Sequence, residues 1–133
     1  VNEPASDSEL QADIARFALD PYGYAMYVFP WGVKGTSLAN KSGPRRWQKD
    51  VLCSIRDRLQ ADAAADVWHV VREAIASGHG IGKSALLAMI VKWAMDTREE
   101  TRGVVTANTE KQLLTKTWPE LSKWHNLSLT KHW

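Results

Sequence analysis

The chain has 133 residues and a mass of 14.9 kDa, room for one domain of ordinary size. Its 44% hydrophobic and 24% charged residues are those of a globular protein, which excludes collagen-like, disordered and low-complexity classes. Seventeen Lys plus Arg against fifteen Asp plus Glu leave a net charge of +2, which permits a polyanionic partner but falls far short of a dedicated nucleic-acid-binding domain. In chain order, residues 1–7 are polar, contain Pro4 and read as a frayed end. Residues 8–19 fit a helix with Leu10, Ile14 and Phe17 on one face, stopped by Asp20-Pro21-Tyr22-Gly23. Residues 24–31 form a short apolar run, bounded by Pro30 and Gly32, that suits a strand or a helical turn equally. Residues 32–44, rich in Gly, Ser, Asn and Lys, read as a loop. Across residues 45–59, Trp47, Val51, Ile55 and Leu59 recur every fourth position, which predicts an amphipathic helix that residues 61–66 either extend or leave.

Residues 67–76 carry Val67, Val70, Val71 and Ile75 and predict a strand that runs into Ser77-Gly78-His79-Gly80-Ile81-Gly82-Lys83-Ser84. Residues 85–95 are apolar nearly all round and predict a buried helix. Residues 103–107 predict a second strand. Thr109 and Gln112 then have capping-box spacing, opening a helix with Leu113, Leu114, Trp118, Leu121 and Trp124. Pro119 either kinks that helix or starts a new segment.

No apolar run approaches the ~18 residues of a membrane span. The first twenty residues carry Glu3, Asp7, Glu9, Asp13 and Asp20 and no apolar block, so no secretory signal is expected. With the single Cys53, this points to a reducing, cytoplasmic setting. Seven tryptophans are read chiefly as packing anchors, with base-stacking platforms the lesser reading.

Strand, glycine-rich turn, Gly-Lys-Ser and helix is the layout of a phosphate-binding loop. Glycines let backbone N–H groups approach phosphate oxygens, and the helix N-terminus adds partial positive charge. Lys83 would neutralise β- and γ-phosphate oxygens, and the Ser84 hydroxyl would ligate Mg²⁺. Ser77 stands where the usual pattern has its first glycine, while Gly78, Gly80 and Gly82 supply flexibility. The rival reading is a glycine-rich helix start with an exposed lysine. A dinucleotide fingerprint fits less well, because the glycine spacing is one residue short.

Four stretches in this order resemble the N-terminal part of the large terminase subunit of tailed bacteriophages, an ATP-driven DNA-packaging motor. They are Asp20-Pro21-Tyr22-Gly23 through Phe29-Pro30-Trp31-Gly32, then Gly43-Pro44-Arg45-Arg46-Trp47-Gln48, then residues 77–84, and Val104-Val105-Thr106-Ala107-Asn108-Thr109 with Gln112 and Trp118. The resemblance implies an α/β fold, a RecA-like P-loop NTPase of the ASCE type. Its core would be incomplete, with residues 1–66 as a mainly helical segment bearing the adenine-side motif and residues 67–133 as the first part of the ATPase core. It implies ATP and Mg²⁺ as cofactors and Gln48 as the adenine contact, against a glutamine that merely caps a helix. Ser77, Gly78, His79, Gly80, Ile81, Gly82, Lys83 and Ser84 would form the nucleotide loop. His79 lies where many terminases have an arginine, and is read either as a γ-phosphate contact or as a passive loop residue; a neutral imidazole is the poorer counter-charge. Thr106 and Asn108 would couple nucleotide state to DNA or simply cap and pack. Double-stranded DNA, a portal and a small terminase subunit are the implied partners.

The acidic ATPase motif and the nuclease domain of that family have no counterpart here. Asp96 follows an apolar run, but as the end of the loop's own helix it reads as solvated. The chain is therefore expected to be the front portion of a larger protein, or the product of a truncated prophage gene, and inactive or nearly so alone. Two other readings stand beside this one: a helicase-like ATPase fragment, and a non-enzymatic remnant or interaction module. Lys41, Arg45, Arg46 and Lys49 form a basic patch read as a solvated face. His125 and His132 lack a ligand cluster for a metal.

Overall fold

The computed structural model describes residues 6–76 and 82–133. Helix α1 (Asp7–Ala15) opens on a capping box: the Glu9 N–H donates to Ser6 Oγ (3.3 Å) and the Ser6 N–H to Glu9 Oε2 (3.0 Å). Its apolar stripe is short, and it ends at Ala15, with residues 16–19 turning towards Asp20. Asp20 both ends that turn and starts α2 (Pro21–Val28), because its Oδ1 accepts the Gly23 N–H (2.9 Å) and Pro21 fits a first helical turn. The ambiguous apolar run is thus mostly helix. Helix α3 (Arg46–Ala65) takes in residues 61–65 and stops where Asp66 turns left-handed (φ +52°).

Helix α4 (Lys83–Thr97) occupies the centre and packs against α1, α2 and the C-terminal helix. Thr109 caps a single turn, α5 (Glu110–Gln112), through its Oγ1 and the Gln112 N–H at 3.2 Å. A π-helical stretch (Leu113–Thr117) follows, and then α6 (Trp118–Leu127). Pro119 has no N–H to return to Thr115, and the turn before it widens so that the Trp118 N–H reaches Leu113 O, five residues back.

The expected α/β, RecA-like P-loop core is not what forms: the described residues are helical and contain no strand. A strand needs a neighbour for its backbone groups, and neither residues 67–76 nor 103–107 finds one. Their β-branched side chains are largely in water, with Val70 79% and Val104 90% exposed. Residues 67–76 instead run antiparallel along α3, tied by side chains. Ser54 Oγ donates to Glu73 Oε1 (2.9 Å), Arg58 Nη1 to Arg72 O (3.0 Å), and the His69 N–H to Asp62 Oδ2 (2.8 Å).

The core is one cluster drawn from both halves of the sequence. Leu10, Ile14, Tyr24, Val28 and Leu52 meet Leu86, Met89, Trp93 and Trp124. Three tryptophans anchor it and each finds an acceptor: Trp31 Nε1 at Ala25 O (2.8 Å), Trp93 Nε1 at Phe17 O (2.7 Å), and Trp124 Nε1 at Glu120 Oε1 (2.9 Å). Trp68, Trp118 and Trp133 are exposed.

Candidate functional site

The site begins with two helix starts brought together. The Arg45 N–H donates to Gln48 Oε1 (2.8 Å), closing the first turn of α3. The same buried amide donates from Nε2 to Gly82 O (2.9 Å), across 34 residues of sequence, and so ties α3 to the cap of α4. Gly82 O also accepts the Leu86 N–H (3.0 Å), the first bond of α4. Only glycine suits this position. Its φ is +93°, and an added Cβ would lie 2.6 Å from Gln48 Nε2.

A cavity of about 450 Å³ opens over this junction. Residues 82–85 form one wall, and among the described residues no side chain caps the start of α4. Lys41 and Arg45 enter from the loop before α3, Lys83 from α4, and Lys116 and Lys123 from the π-helical stretch and α6. Among the described lining residues, one carboxylate stands against five cations: Glu120, whose Oε1 is taken by Trp124 Nε1. Trp31 and Trp124 complete the wall, their rings 5.8 Å apart and each edge-on to Phe29. Converging cations and a helix N-terminus suit a polyanion.

Of the residues singled out in sequence, Gln48, Gly82, Lys83 and Ser84 come together here. Ser77, Gly78, His79, Gly80 and Ile81 lie outside the described residues. Thr106 and Asn108 are exposed and line no part of this cavity. Gln48 makes the helix-capping bond of its plainer reading, and its second amide proton meets no acceptor among the described residues. The basic patch divides: Lys41 and Arg45 face the cavity, whereas Lys49 sits 5.2 Å from the Tyr22 ring centre. Lys116 and Lys123 carry no motif, and only the fold of the C-terminal arm brings them here.

Sequence reasoning also misplaced Asp96. Its side chain is 8% exposed and sits in a polar network, not in solvent. It accepts from Tyr24 Oη (2.6 Å) and Thr130 Oγ1 (2.7 Å), and pairs with Lys92 Nζ at 3.3 Å. Lys92 Nζ donates further to Thr130 Oγ1 and meets His125 Nδ1, each at 2.9 Å. Burial pushes the Lys92 ammonium below its ordinary pKa, and the Asp96 charge opposes that shift. Among the described residues no three His, Cys, Asp or Glu gather to hold a metal ion, and no helix is long and apolar enough to cross a membrane. Comparisons with family models, curated proteins and solved structures gave no match to the chain.

Proposed function

We propose that the cationic cavity binds ATP with Mg²⁺, and that the chain is the nucleotide-binding portion of a terminase-like motor that drives double-stranded DNA into procapsids. One observation carries the ATP reading. Two stretches that the sequence marks separately, the adenine-side Gln48 and the phosphate-side Gly82-Lys83-Ser84, meet in one cavity through the 2.9 Å Gln48–Gly82 bond. The motor role rests on the four stretches in terminase order. Portal, small subunit and a place in the host cytoplasm come with that role.

The residues present fit such a ligand. The start of α4 offers backbone N–H groups, Lys83 and its cationic neighbours offer charge, and the Ser84 hydroxyl is exposed beside them. Lys83 would hold the phosphate tail and Ser84 the Mg²⁺ bound to it. The spare Gln48 amide proton would reach the base, which the Trp31 ring would flank. This cradle is a helix start facing a charged cavity, without a sheet behind it among the described residues. Bound Mg²⁺ would supply charge neutralisation at the phosphates. The carboxylate in the cavity lining, Glu120, already accepts from Trp124 Nε1 through Oε1, and Asp96 lies twelve residues along α4 from Ser84, about 18 Å at the helical rise, so neither stands in for the family's acidic strand end. The chain alone is therefore expected to bind ATP without turning it over.

A second reading, an interaction module in which this junction serves structure only, is favoured by the double engagement of Gln48 with Arg45 and Gly82. Calorimetric titration of the folded chain with Mg-ATP separates the two. Saturable binding that weakens at least about tenfold in Lys83→Ala, with unchanged circular dichroism, is the expected outcome. A folded chain that gives no binding, or equal binding in the variant, would favour the module.

A further inference from the structure

A second cavity, of about 790 Å³, lies along the other flank of α4. Its size is that of a small-molecule site, which typically spans roughly 300–1,000 Å³. The helix read from sequence as apolar all round has one face in the core, whereas Leu87, Val91 and Met95, one turn apart, line this cavity instead. Leu87 is 38% and Met95 52% exposed, so the described residues cover this stripe only in part. Trp118 of α6 forms the facing wall.

The lining is polar at one place. Ser122 and His125 share the α6 face with Trp118, above the buried Lys92–Asp96 pair. An ammonium can only donate, so where Lys92 gives a proton to His125 Nδ1 the ring N–H is the one on Nε2. That N–H has no acceptor among the described residues. The Lys92 ammonium is spent on Asp96, His125 and Thr130, and its charge is balanced by Asp96. An anion would find no unbalanced charge at this spot, while a neutral acceptor would find donors.

We propose that this cavity binds a small uncharged molecule with an apolar body and a carbonyl acceptor, the body on the Leu87–Val91–Met95 stripe and the carbonyl on the His125 ring and the Ser122 hydroxyl. The site is independent of the ATP reading and shares none of its lining residues with that cavity.

The probe is prodan, a naphthyl ketone dye whose emission shifts to the blue in apolar surroundings, titrated against the full chain. A dimethylaminonaphthalene lacking the ketone is the control. Saturable one-to-one binding is expected. Leu87→Glu and Met95→Glu, both at partly exposed positions, should each weaken it about tenfold or more with circular dichroism unchanged. His125→Leu should weaken the ketone about threefold to tenfold relative to the control dye, the worth of one hydrogen bond. A merely structural histidine would lower both dyes alike, and that result overturns the carbonyl contact. Absence of saturable binding, or indifference to both glutamate variants, overturns the site. So does a concentration-dependent doubling of mass in sedimentation that displaces the dye, because a second copy would then be the occupant.

Discussion

Tyr24 is fully buried, and its hydroxyl donates to the Asp96 carboxylate at 2.6 Å. Burial first, then the charge and hydrogen bond of Asp96, push its pKa well above the ordinary tyrosine value of 10.0. The unfolded chain therefore releases this proton near pH 10 while the folded chain keeps it, so the folded state binds more protons and stability falls as pH rises beyond 10. Urea denaturation between pH 9 and 11 should show a steeper alkaline loss in the wild type than in Tyr24→Phe. Equal slopes would mean that Tyr24 ionises freely in the fold. None of this network is legible in the sequence, because Tyr24 and Thr130 lie 72 and 34 residues from Asp96. Lys83 and Ser84 stand out in the sequence because the Gly-Lys-Ser pattern is local, and the structure sets both in the cavity wall. Lys116 and Lys123 resemble any other surface lysines until the arm that carries them is folded back.

At the scale of elements, periodicity does well where a helix has one wet face, as in α3, and turn chemistry does well at Thr109. It fails for the two β-branched runs, since composition states a preference and only a partner strand realises it. The Asp20-Pro21 pair shows a smaller failure, because signals that end one helix also begin the next. The junction of α3 and α4 rests on Gly82 in the same way, through a single backbone conformation. Gly82→Ala should cost about 1–2 kcal/mol from its positive φ alone, read as a lower denaturation midpoint. The added Cβ also collides with the Gln48 amide, so Gln48→Ala in the same chain should remove the collision while the φ cost stays. A Gly82→Ala chain as stable as the wild type would show that the left-handed turn is not required.

For the molecule as a whole, a single core joins residues that the sequence assigns to two regions, and the fold is therefore expected to melt as one unit. Ten residues at its edge have a further consequence. Helix α6 gives Glu120, Lys123 and Trp124 to the cationic cavity, and Trp118, Leu121, Ser122 and His125 to the apolar one. Saturating Mg-ATP should change the affinity for the ketone dye, and the dye should change that for ATP by the same factor; no change in either would mean that α6 holds its pose. A rod wedged between two rooms leans into one only by enlarging the other, so a tenant of either would set the terms for the other's stay.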